Sequence, residues 1–167
     1  LDQGECVRDA YLDFLAVLKD SEFEGEICAD VAHRLVTATD NSVYQILPQA
    51  VCYPRHESDV VRFMSLLGEA RFRGVQMSPR GGGTGTNGQS LTDGIVLDVS
   101  RHLNAIIEVN TEEMWARVEP GVVLDQLNDH LAERDVFFAP NLSPSSRATI
   151  GGMISTDAAG KGSRVYG

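Results

Sequence analysis

Basic residues are scarce in this sequence. Its 167 residues include 14 Lys and Arg against 24 Asp and Glu, a formal net charge of -10 at pH 7. A nucleic-acid binder presents a basic face to phosphates, and this chain lacks the residues to build one. An acidic chain still holds a phosphate-bearing ligand where main-chain N–H groups, rather than lysines, supply the positive potential. Long apolar runs are missing too, since none approaches the ~20 residues of a membrane span. Cys6, Cys28 and Cys52 are odd in number, far apart and free of any CxxC pairing. They read as reduced thiols in a cytoplasmic protein, with neither a disulfide framework nor a metal site. The opening residues Leu1, Asp2, Gln3, Gly4 and Glu5 lack the basic and apolar regions of a signal peptide, and they lack an initiator Met. The sequence is therefore expected to be a piece of something longer.

What remains is an ordinary globular composition. A hydrophobic share of 43% with 23% charged residues is enough to bury a core and argues against disorder. Val7, Tyr11, Phe14, Leu15 and Leu18 recur at helical spacing, so the first twenty or so residues are expected to form an amphipathic helix. A second helix is expected over 27–35, a polar turn over 37–42 and an extended segment over 43–53. Ser58 is the expected N-cap of a helix with Val60, Val61, Met64 and Leu67 on its inner face, stopped by Gly74. Strands are expected over 75–79, 94–99, 105–109 and 114–118, with Trp115 in the core. A helix over 122–134 should turn Leu124, Leu127 and Leu131 inward, and 136–139 should be extended. Helices and strands alternate without an internal repeat, which implies an α+β or α/β domain.

The most informative stretch is PRGGGTGTNGQS at 79–90. Gly81, Gly82, Gly83, Gly85 and Gly88 allow backbone conformations closed to other residues and bring N–H groups close to a ligand. Such a concave ring of amides suits a pyrophosphate. Thr84, Thr86, Asn87 and Ser90 add side-chain donors, and Arg80 could pair with a phosphate, with a carboxylate or in a structural ion pair. Gly83, Gly85 and Gly88 match GxGxxG literally, yet a nicotinamide-type Rossmann fingerprint must open a helix, and here a strand follows. A P-loop is excluded because no Lys-Ser or Lys-Thr closes the loop. The second unusual stretch, PNLSPSSRATIGGMISTDAAG at 140–160, combines hydroxyl side chains with small residues that let a planar ligand lie against the backbone. Asp157 within it is expected to cap a helix.

Together these two segments resemble the FAD-binding domain of the vanillyl-alcohol-oxidase-type (PCMH-type) flavoproteins. There, PxGGGT-type and ATIGG…AxG segments clasp the pyrophosphate and the flavin from two sides. Tyr53, Pro54 and Arg55 before Ser58, Asp59 and Val60 resemble the family's opening strand-helix element. Val118, Glu119, Pro120, Gly121 and Val122 resemble another of its segments. Within the family the wording is similar to large bacterial FAD-linked oxidoreductases of D-2-hydroxy acids such as D-2-hydroxyglutarate or D-lactate.

The resemblance implies an α+β, PCMH-type fold with small mixed sheets flanked by helices, incomplete at its C-terminus. It implies an N-terminal helical extension over 1–45 and the FAD-binding domain over 46–167. The cofactor set it implies is Arg80, Gly81, Gly82, Gly83, Thr84, Gly85, Asn87, Gln89 and Ser90 with Pro140, Ser143, Ser146, Ala148, Thr149, Gly151, Gly152, Thr156, Ala158 and Gly160. FAD is expected to be non-covalent, because the place of the linking His is held by Thr84 or Gly85. His33, His56, His102 and His130 lie outside both segments, and no catalytic residue is assigned. The catalytic base, the contacts to a small hydroxy-acid substrate and an iron–sulfur partner domain are expected farther along the parent chain. Two alternatives stay open: an oxidase of another alcohol or sugar, and an isolated module without bound flavin.

Overall fold

The computed structural model describes residues 6–166, so the expectation for residues 1–5 of the first helix lies outside it. Helix α1 (Asp9–Lys19) opens the described chain, and strand β1 (Glu26–Cys28), helix α2 (Val31–Thr37) and strand β2 (Ala50–Tyr53) follow. Helix α3 (Glu57–Leu67) leads through a 3-10 turn at Ala70–Phe72 into β3 (Met77–Arg80) and β4 (Ile95–Asp98). The hairpin β5 (Ile106–Asn110) and β6 (Trp115–Val118) precedes helices α4 (Leu124–Ala132), α5 (Ile150–Ser155) and α6 (Ser163–Tyr166). Four strands form a mixed sheet in the order β1-β2-β4-β3, with β1 antiparallel to β2 and the other neighbours parallel, while β5 and β6 pair separately. The fold is therefore α+β, with small mixed and antiparallel sheets flanked by helices, as the sequence implied.

Two main cores fill this frame, and a smaller cluster of Val51, Tyr53 and Val96 accompanies them. In the first, α1, α3 and the 3-10 turn close over the sheet, and Phe14 meets Phe63 and Phe72 edge-on at 5.1 and 5.2 Å between ring centroids. All four residues of β4 are buried, because the strand is central and covered on both faces. The second core gathers Val122, Leu124, Leu127 and Leu131 of the α4 region against Ala148, Ile150 and Met153. The inward leucines of α4 are those its periodicity predicts.

Several local expectations are corrected. Glu26–Cys28 is a strand rather than helix, since it pairs with β2 before Asp30 caps α2 through Ala32 and His33 N–H groups. His56, not Ser58, holds the N-cap position of α3, and the helix ends at Gly68 rather than Gly74. Its inner stripe is Asp59, Phe63 and Leu66, which leaves Val61 58% and Met64 47% exposed. The stripe is set by Asp59, whose carboxylate accepts the main-chain N–H groups of Glu24 and Arg55 at 2.8 Å each and so turns that face inward. Periodicity that counts only apolar residues misses a buried carboxylate. Trp115 lies on the face of the β5–β6 ribbon opposite the Ile106, Val109 and Val118 face that packs on the second core, and its indole N–H donates to Glu113 at 2.8 Å. Asp157 sits at φ 50° beyond the end of α5 instead of capping a helix.

Two predictions follow from the first core. Phe14→Ala should lower stability by about 3–5 kcal/mol in urea unfolding, because three aromatic rings lose their mutual contacts. Cys52 is fully buried and desolvation pushes its thiol far above the ordinary range, whereas Cys6 is exposed. A disulfide reagent at pH 8 should label Cys6 in the native protein and Cys52 only after denaturation.

Candidate functional site

A cavity of about 1020 Å³ lies at the seam between the two cores. One wall is the loop that leaves β3 at Arg80 and returns to the start of its parallel neighbour β4 without a helix. The other wall runs from residue 141 through the start of α5 to Lys161, with Pro120 and Val99 between the two. Glycines let these walls touch. A Cβ at Gly81 would stand 2.1 Å from the Thr149 hydroxyl oxygen, and one at Gly82 would stand 1.9 Å from the Arg147 carbonyl oxygen. Gly83 and Gly88 take φ +62° and +74°, the left-handed region that side chains disfavour.

The loop offers its main chain to the cavity. Among the described residues, none of the N–H groups from Gly81 to Thr86 donates to another part of the chain. Its side-chain fastenings point the other way. The Arg80 guanidinium donates to the carbonyls of Thr39 at 2.7 Å and Thr37 at 3.3 Å, behind the glycines. Burial lowers the Arg80 pKa against the opposing pull of Asp98 and Asp40. In the second wall, by contrast, the amides are committed. Ile150 and Gly151 N–H groups donate to Val122 and Pro120 carbonyls, and Gly152 N–H donates to the Thr149 hydroxyl that caps α5. That wall contributes shape and hydroxyls, while the loop contributes free donors.

The charge of the lining departs from that of the chain. Among the described residues no Asp or Glu lines the cavity, and Arg80 and Lys161 are the only charged ones that do, in a chain of net charge -10. A carboxylate-free hollow lined by partnerless amides is a place for an anion.

Residues 48–167 match the FAD binding domain family.

The chain belongs to that family.

It is 60% identical over 157 residues to "D-2-hydroxyglutarate dehydrogenase" of Pseudomonas putida, covering 94% of this chain and 16% of the relative. It is 56% identical over all 167 residues to the protein of the same name from Pantoea ananatis, again spanning 16% of its length. Among solved structures, an alkyldihydroxyacetonephosphate synthase superposes with a TM-score of 0.80 at 22% identity, covering 94% of this chain and 31% of that one, which shows the shared fold.

Within this FAD-binding domain, most of the sequence-assigned residues come together. Arg80, Gly81, Gly82, Gly83, Thr84, Gly85, Gln89 and Ser90 line the cavity from one side, and Ser143, Ala148, Thr149, Gly151, Gly152, Thr156 and Gly160 from the other. Asn87, Pro140, Ser146 and Ala158 are not in its lining. Asn87 N–H turns back to the Gln89 side chain at 3.0 Å, and Ala158 packs into the second core. Val99, Pro120, Asn141 and Lys161, outside the assigned set, also line the cavity. The Val118–Val122 stretch already stood out as a familiar segment, so Pro120 had a signal. Asn141 and Lys161 are brought in by a bridge between Asn141 and Gly160 that no local pattern announces.

None of the four histidines lines the cavity. Cys28, Asp30 and His33 form a group of possible metal-ligand atoms within 4.8 Å, the one such group among the described residues. Its carboxylate is already engaged. Asp30 Oδ1 accepts two α2 amides and Oδ2 meets His33 Nδ1 at 2.7 Å. No helix among the described residues is long and apolar enough to cross a membrane.

The seam can be probed by adding single methyl groups. Gly82→Ala must push two backbones apart and should cost roughly 1–3 kcal/mol. Gly74→Ala, whose Cβ meets nothing within 4 Å, should stay within about 0.5 kcal/mol. Paired thermal melts compare the two variants.

Proposed function

We propose that this chain is the cofactor-gripping part of a flavoprotein oxidoreductase that oxidises a D-2-hydroxy acid, D-2-hydroxyglutarate first among them. The single observation that carries this reading is the run of unpartnered amides from Gly81 to Gly85 on a cavity that, among the described residues, no carboxylate lines. Two phosphates need neutralising, and fixed N–H dipoles in a partly enclosed hollow do so without lysines. The relatives named D-2-hydroxyglutarate dehydrogenase support the substrate class, at 52–60% identity across the stretch they share with this chain.

In this reading the Gly81–Thr86 amides hold the pyrophosphate, with the Arg80 and Lys161 charges nearby. The Ser143, Thr149 and Thr156 hydroxyls and the bare faces of Gly151 and Gly152 border the rest of the cofactor. When bound, the isoalloxazine supplies the redox chemistry by accepting a hydride at N5 from the substrate carbon. Among the described residues the lining contains no His, Asp or Glu, and we assign the base that removes the hydroxyl proton to the remainder of the parent protein. FAD is held without a covalent bond, since Thr84 and Gly85 offer the loop no linking nucleophile. The chain spans about one sixth of the relatives' length (16%), and we assign substrate contacts and an iron–sulfur partner domain to the remainder of a cytoplasmic parent protein. The division near residue 46 separates residues that contact the cofactor from residues that support them.

The test uses the full-length parent protein. A yellow protein with a flavin band near ~450 nm is expected, bleached anaerobically by D-2-hydroxyglutarate. Acid denaturation should release the flavin and leave an unmodified protein mass. A colourless protein that does not respond to added FAD overturns the assignment, and a retained flavin mass overturns its non-covalent part.

A further inference from the structure

The glycine loop cannot hold its own shape. Its N–H groups from Gly81 to Thr86 make no hydrogen bonds to the described residues of the chain, and two of its glycines sit at positive φ. A segment of that kind is costly to order, and if the ligand alone ordered it, binding would be weakened by that cost. The order comes instead from the turn at residues 38–46, which lies ahead of the stretch that matches the FAD-binding family.

That turn is closed by a Thr39–Gln45 bridge and by Ile46 N–H donating to the Ala38 carbonyl at 2.9 Å. Asp40 organises it from within, because its Oδ1 accepts the Ser42 N–H at 2.8 Å. Its Oδ2 reaches out to accept the Ser90 hydroxyl at 3.1 Å, at the far end of the glycine loop. At the near end, Asn41 N–H donates to the Gly83 carbonyl at 3.1 Å, and Arg80 is fastened to the Thr39 carbonyl. The Tyr44 ring lies under Gly88, where an added Cβ would stand 3.0 Å from it. Both ends of the loop are thus tied to one short turn on the face away from the cavity.

We propose that Asp40 is a positioning residue for the cofactor. It does not itself line the cavity but meets the lining at Ser90, with the Arg80 charge nearby, and it presets the loop so that the Gly81–Thr86 amides converge before the pyrophosphate arrives. Burial raises the Asp40 pKa, but the Ser42 and Ser90 hydrogen bonds and the Arg80 charge outweigh it and hold the carboxyl below its ordinary value. Asp40 is accordingly ionised, and fully able to accept both bonds, throughout the neutral range.

This inference rests on the FAD reading, and the experiment separates the two. In the full-length protein, Asp40→Ala should weaken FAD binding about tenfold, the equivalent of losing one to two charge-assisted hydrogen bonds. Turnover at saturating FAD should stay close to wild type, while the midpoint of thermal unfolding should fall more for the FAD-loaded protein than for the apoprotein, because weaker binding stabilises the folded state less. Asp40→Asn keeps the size and one acceptor oxygen, so it should recover most of the lost affinity. It also carries the test should Asp40→Ala fail to fold, with an expected loss of about threefold. A wild-type protein that binds FAD beside variants of equal affinity sinks the positioning role and leaves the flavin assignment standing. A loss of saturating turnover in step with affinity also overturns it, since positioning of the loop acts on binding alone. A wild-type protein that takes up no FAD removes both readings at once.

Discussion

The structure depends on one close approach of backbone to backbone. At Gly81 and Gly82 the β3–β4 loop comes so near the Arg147–Thr149 segment that no side chain fits between them. Each segment belongs to a different core, the first built on the four-stranded sheet and the second on α4 and α5. The approach therefore joins the two halves and makes the floor of the cavity in the same place. Gly121 and Gly151 repeat the device nearby, with added Cβ atoms standing 2.4 Å from the Val99 carbonyl and 2.7 Å from the Pro120 ring. Small residues line this seam because main-chain contact requires them.

Electrostatics divides along the same line. An acidic chain would repel a dinucleotide if its carboxylates faced the ligand. Here the nearby carboxylates Asp40 and Asp98 stay out of the cavity lining and are occupied by hydrogen bonds. Asp40 serves the 38–46 turn and Ser90, and Asp98 Oδ1 accepts the Ser100 N–H at 2.9 Å and the Ser100 hydroxyl at 2.7 Å. Arg80 lies between these acids and the glycines, so the loop meets the cavity with amide dipoles and a local positive balance. The second wall spends its amides on the α4–α5 junction and offers hydroxyls and bare glycine faces. A rigid donor loop and a shaped opposite wall suit a ligand that is charged at one end and planar at the other.

Much of this was legible in the residues. The glycine loop between two strands, the absence of a following helix, the β5–β6 hairpin and the inward leucines of α4 all follow from local chemistry. Glycine, turn residues and 3.6-residue spacing report directly on backbone conformation. The misreadings have a common cause. β1 was read as helix because three residues flanked by helix formers carry no period of their own, and only the partner strand β2 defines them. The inner face of α3 was displaced because a buried Asp59 stands where an apolar residue was expected. Aromatic type points Trp115 to the core, but strand alternation sets it on the face of the ribbon opposite Ile106, Val109 and Val118, which pack against the second core.

By itself, the sequence determined which segments could carry a phosphate-bearing cofactor, since only stretches so rich in glycine and hydroxyls let the main chain approach a ligand. Tertiary structure alone decided which donors remained free and which carboxylates faced away. Those properties depend on contacts between residues far apart in the chain, such as Asp40 with Ser90, Arg80 with Thr39 and Gly82 with Arg147. A hydrogen bond satisfied by a distant partner leaves no trace in local spacing, and for that reason the brace behind the loop became visible only in the fold.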